Sequence, residues 1–189
     1  MLGKPTRALC PHKTAVVGVG NILMGDEGIG VRIIQTLEQE PLPEGTALFD
    51  GGTAFHELIA ELAAFSKWII VDAVNGGEPP GAIYRLELNE ILDGIRQNTG
   101  SSDLGSGQNL GAVSLHDIGV IEALMLERFV DSFSSRPRLL DVTEIVILGI
   151  EPESVELSLE LSPTLERVLP LLLQAVRDEL EWTPSPTPG

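Results

Sequence analysis

The chain has 189 residues, 43% hydrophobic and 21% charged, which excludes collagen-like, disordered and disulfide-scaffold classes and fits one domain long enough to enclose a sizeable site. Twelve Lys and Arg against twenty-eight Asp and Glu leave a formal charge of −16, a sign that repels phosphate backbones and anionic membrane surfaces, so no nucleic acid partner is expected. The one cysteine, Cys10, allows no internal disulfide. No apolar run approaches the roughly 18 residues of a membrane span, and Met1 to Lys13 lacks the apolar core of a signal peptide. These features predict a cytoplasmic protein with no membrane insertion.

Residues 1–13 read as an N-terminal arm. Ala15 to Gly20 is a short β-branched run ended by glycine, the pattern of a buried strand. Ile29, Ile33, Ile34 and Leu37 then recur at helical spacing, with Asp26 as the expected N-cap. The unit repeats in outline: Ala47 to Phe49 is a second strand, running into Asp50-Gly51-Gly52-Thr53, and Leu58, Ile59, Leu62 and Ala63 mark a helix face. Trp68 to Val71 is a third strand, stopping at Asp72. Ile83 to Leu86, after the Pro79-Pro80-Gly81 turn, suits an edge strand, and a weaker helix follows around Ile91 and Ile95.

Residues 98–111 hold four Gly and three Ser, which predicts a flexible loop over 98–113. Ser114 and Asp117 have capping-box spacing, which places His116 in the first turn of a helix carried by Ile121, Leu124 and Met125. Ile145 to Ile150 is the last strand. Ser162-Pro163 opens the last helix, with a kink expected at Pro170. Residues 182–189 form a Pro-rich tail. Strands alternating with helices predict a single three-layer α/β domain over 14–181: a twisted, mostly parallel sheet with helices on both faces and ligands beyond the carboxyl ends of the strands.

Several familiar motifs break. Gly18-Val19-Gly20 begins a dinucleotide fingerprint, but Leu23 occupies the third glycine position, and Asp26 and Glu27 stand where a phosphate would sit. His56-Glu57 begins a zinc motif that Ala60 leaves unfinished. No GxSxG elbow or P-loop is present. Three ionisable residues remain where such a sheet would gather them: Glu27 after the first strand, Asp72 at the end of the third, and His116 at a helix start. Two carboxylates and an imidazole suit a borderline divalent metal such as nickel or zinc, and three protein ligands leave coordination positions open. Each has a plainer reading. Glu27 can complement a helix N-terminus, His116 can be a solvated first-turn residue, and Asp50-Gly51-Gly52 can be a simple turn. Asp72 is harder to explain away, because an acid directly after four buried-strand residues is costly unless it sits at the strand mouth or is paired.

Residues 18–31 (GVGNILMGDEGIGV), Asp50-Gly51-Gly52-Thr53, Ile70-Val71-Asp72-Ala73, Ser114-Leu115-His116-Asp117, residues 149–154 (GIEPES) and Leu161-Ser162-Pro163-Thr164 together resemble the nickel-iron hydrogenase maturation endopeptidases, in order and approximate spacing. The resemblance implies a five-stranded twisted sheet between helices. It implies a protease, often grouped with aspartic-type peptidases, that removes a C-terminal extension from the hydrogenase large-subunit precursor after nickel insertion. Matched by position, Glu27, Asp72 and His116 are its metal-contacting residues, and Asp50 is an acid of the second block and a candidate general base. On this reading the nickel is borne by the substrate, no organic cofactor is involved, and the protease is a monomer. Two features depart from the pattern: Phe55 replaces an expected glycine, which bears on the cleft near the second helix, and the loop before His116 is long. A non-catalytic chaperone of nickel-loaded precursor, and a metallohydrolase with a resident ion, are the competing readings.

Overall fold

Uninterrupted β-branched and aliphatic runs can only be buried on both faces, and they build the centre of the sheet. In the computed structural model, which describes residues 13–91, 119–131 and 139–181, the strands are β1 (Thr14–Val19), β2 (Thr46–Gly52), β3 (Lys67–Ala73), β4 (Ile83–Glu87) and β5 (Glu144–Ile150). They form one five-stranded sheet in the order β2-β1-β3-β5-β4. β2, β1, β3 and β5 run parallel, and β4 pairs antiparallel with β5 at the edge. The helices are α1 (Ile29–Leu37), α2 (Phe55–Leu62), α3 (Val120–Asp131), the short α4 (Leu139–Val142) and α5 (Pro163–Glu181). A helical turn at 88–91 follows β4. The arm, the loop 98–113, Ile95, the Ser114–Asp117 turn with His116, and the tail lie outside the described residues.

Alternation along β1 and β3 feeds two cores. Val16, Ile69 and Val71 pack with Ile29, Ile33 and Leu37 of α1 and with Leu165, Leu172 and Val176 of α5. Val17, Trp68 and Ile70 face the other way, onto Phe55 and Leu62 of α2 and Leu124 of α3. Trp68 is fully buried and donates its indole N–H to the Leu62 carbonyl at 2.9 Å. Phe55 is thus a core residue beneath α2. α1 lies so close to the sheet that a Cβ on Gly30 would stand 2.3 Å from the carbonyl oxygens of both Val19 and Val71. Only glycine permits that approach.

The connection that leaves β1 runs to β2 on one side and the one that leaves β3 runs toward β4 and β5 on the other, so a topological switch point falls between β1 and β3. Among the described residues no helix is long and apolar enough to cross a membrane.

Three local expectations change. Asp26 is no helix cap: it lies inside a 3₁₀ turn, Gly25–Gly28, and α1 starts after Gly28 without a side-chain cap. Met125 of α3 is exposed, because Val120, Ala123 and Leu124 form the buried face, and Ala63 is exposed at the end of α2. α5 opens as expected, the Ser162 hydroxyl accepting from the Leu165 N–H at 3.2 Å, and runs on through Pro170, which is exposed.

At the amino ends of β3 and β5, the buried Lys67 ammonium meets Glu144 at 3.0 Å and Glu179 at 3.1 Å, and Arg85 of β4 reaches Glu179 at 2.5 Å. Burial alone would raise the Glu179 pKa, but hydrogen bonds from Arg85 and Lys67 outweigh it and hold the carboxyl below its ordinary value. A carboxylate with a depressed folded pKa contributes stability at neutral pH that is lost as the pH falls through that pKa. Urea unfolding across a pH series should therefore show Glu179→Gln less stable than wild type at neutral pH, with a flatter decline below the ordinary carboxylate value of about 4.5.

Candidate active site

The chain leaves β1 through Gly20, whose φ of +126° turns it sharply back. A Cβ there would lie 1.8 Å from the Glu27 carbonyl oxygen, so the 3₁₀ turn sits directly against the end of β1. The same turn packs on β3. Glu27, half-buried in this turn, and Asp72, half-buried near the end of β3 opposite Gly149, thus both stand at the switch point. Each makes polar or electrostatic contacts of its own.

The turn is held by Asp26, which is 0% exposed. Its Oδ2 accepts from the N–H groups of Glu153 (2.8 Å) and Ser154 (2.9 Å), and its Oδ1 from that of Ser162 (2.7 Å). A buried carboxylate is tolerated only with such charge-assisted bonds. Backbone bonds extend the tie: Asp26 N–H donates to the Ser154 carbonyl, and Gly25 N–H to that of Ser158.

Glu151, directly after β5, is buried and organises the neighbouring loop. Its carboxylate accepts from the Gly76 N–H at 2.8 Å, the Gly77 N–H at 3.3 Å and the Tyr84 hydroxyl at 2.6 Å. Desolvation first, and then this bond to a carboxylate, push the Tyr84 phenol up to about 12. The argument that marks Asp72, an acid at the end of a buried strand, applies equally to Glu151.

Asp50 is exposed on β2, and its Oδ1 accepts from the Gly52 N–H at 3.0 Å, closing the Asp-Gly-Gly turn. Leu48 packs on the α1 side of the sheet, so alternation puts Asp50 on that side. Ile70 packs on the α2 side, and Asp72 follows it there. The sheet therefore brings Glu27 and Asp72 to one switch point and sets Asp50 on the opposite face from Asp72. His116 lies outside the described residues, and among those described no three His, Cys, Asp or Glu side chains gather as a metal site. His56 is exposed on α2.

Two carboxylates at the switch point of a doubly wound sheet define an α/β protein of the class that binds its ligands at the carboxyl ends of the strands. Comparison with known proteins specifies it further. The family model for hydrogenase maturation proteases matches residues 31–104. The hydrogenase 2 maturation protease of Escherichia coli is 33% identical over 163 residues, covering 85% of this chain and 86% of that one. The structure of the hydrogenase maturating endopeptidase HybD from E. coli matches with a TM-score of 0.66 at 32% identity, over 89% of this chain and 91% of that one. A hydrogenase 2 maturation peptidase from a Thaumarchaeota archaeon matches with a TM-score of 0.59 at 30% identity, over 89% and 98%. The chain belongs to the hydrogenase maturation protease family.

Two measurements check this geometry. Asp26→Asn keeps one acceptor oxygen and turns an amide donor toward backbone N–H groups, so chemical denaturation should show a loss of about 3 kcal/mol. Tyr84 is the one tyrosine in the chain. Its ultraviolet titration in the folded protein should have a midpoint of about 12, lowered in Glu151→Gln.

Proposed function

We propose that this protease cleaves the C-terminal extension of a nickel-iron hydrogenase large-subunit precursor once nickel is in place, using the substrate's own nickel as the signal. The observation that carries this is the placement of Glu27 and Asp72 at the switch point, with α3, which begins four residues after His116, packed on the face that Asp72 shares. Two carboxylates and an imidazole suit nickel, and the remaining coordination positions are those the precursor fills. Completing the coordination holds the scissile segment in register, so positioning is tied to correct loading. The enzyme works as a cytoplasmic monomer without an organic cofactor.

Hydrolysis adds water across one amide, giving a new carboxylate on the precursor and an amine on the released peptide. Nickel-polarised water and a carboxylate base are the two routes to that nucleophile. The opposite-face position of Asp50, and its existing bond to Gly52, favour the first and give Asp50 the shaping of its turn. At saturating precursor, Asp50→Asn should then lose less activity than Asp72→Asn.

The primary experiment incubates the purified chain with precursor, nickel-loaded or nickel-free, and follows the mass of the precursor's C-terminus. Loss of a short peptide from the loaded form alone is expected; equal cleavage of both forms would refute nickel as the signal. His116→Ala and Asp72→Asn should each lower the rate about 100-fold or more while retaining wild-type thermal stability.

A further inference from the structure

The segment 154–160, tied to the 3₁₀ turn by Asp26, exposes an apolar patch that core packing does not explain. Leu157 is 82% exposed, Leu159 63%, Leu23 51%, and Val155 and Ile22 are exposed beside them. The two segments are joined by a parallel bridge between Met24 and Ser158, with the Ser158 N–H donating to the Leu23 carbonyl at 2.9 Å. The bridge sets Leu23 and Leu157, each the residue before a bridged one, on adjoining segments, with Leu159 next along.

The patch is rigidly held. Ser158 Oγ donates to the Glu160 carbonyl and accepts from its N–H, both at 3.0 Å, and the Arg32 guanidinium donates to the Leu159 carbonyl. Large apolar side chains displayed on a fixed backbone, contiguous across two segments, mark an interaction surface. This one continues directly into the turn that carries Glu27. Exposed Glu156 and Glu160 border it, on a chain of net charge −16.

We propose that this strip is the docking surface for the hydrogenase large-subunit precursor, taking an apolar segment of that partner flanked by basic residues. The inference rests on the reading of the chain as the precursor's protease. The continuity with the Glu27 turn places a partner seated here beside that carboxylate. The acidic border fits a basic rim and speeds encounter.

The test uses the full chain and nickel-loaded precursor, with a Leu157→Ser/Leu159→Ser double variant. Both side chains are solvent-facing, so its thermal unfolding should match wild type. Its KM should rise about tenfold, the effect of removing a hydrophobic anchor, with the rate recovered at saturating precursor. Glu156→Gln/Glu160→Gln should raise KM at low salt and have little effect at high salt. An unchanged KM in the folded leucine variant overturns the docking surface while wild-type cleavage still upholds the protease. A wild-type dimer that this variant dissociates, with KM unaltered, assigns the strip to a second copy and overturns the proposal. Failure of wild type to cleave the precursor removes the underlying reading itself.

Discussion

A single buried carboxylate sets the geometry of the functional end of this molecule. Asp26 has no solvent to stabilise its charge, and it accepts three backbone N–H groups from residues 127 to 136 positions away. Those donors belong to the connection between β5 and α5, and the acceptor belongs to the turn between β1 and α1. Each segment leaves backbone groups that its own turns do not pair, and the exchange satisfies them. Glu27 owes its place to this exchange, being the next residue along the turn.

The rest of the architecture serves the same end by separation. The ion pairs of Lys67, Arg85 and Glu179 sit at the amino ends of β3 and β5. The carboxylates with chemical potential sit at the carboxyl ends. Between them α1 approaches the sheet so closely that Gly30 touches β1 and β3 together. Close packing therefore fixes the distance from helix to sheet, and the carboxyl ends of the strands open onto loops. Glu151 repeats on β5 what Asp72 does on β3, an acid at a strand's end, yet spends its acceptors on the chain's own loop.

Strand positions, the edge role of β4 and the start of α5 were legible because hydrophobic period, glycine and the Ser-Pro cap act locally. The positions of Glu27 just after β1 and of Asp72 near the end of β3 were legible too, since they follow from alternation of strands and helices. Asp26 was misread because its partners lie far along the chain, and an acid before an apolar helical run looks like a cap. Met125 fits helical spacing, but which face of α3 is buried depends on how α3 meets the sheet, and that is a tertiary fact. Asp50 and Asp72 look equivalent as acids after short strands. Their different faces emerge only from the register, where Gly18 pairs with both Asp50 and Val71.

The long reach of the Asp26 bonds also bears on how the protein is made. During synthesis β1, α1, β2, α2 and β3 emerge first, and their contacts are comparatively local. Residues 153, 154 and 162 emerge much later, so until then the Asp26 carboxylate has only water to satisfy it. A growing chain can own most of a sheet and still lack the tie that fixes the Glu27 turn. Only once residues 153, 154 and 162 have been made can the Asp26 carboxylate take up the three backbone N–H groups that fix the turn carrying Glu27.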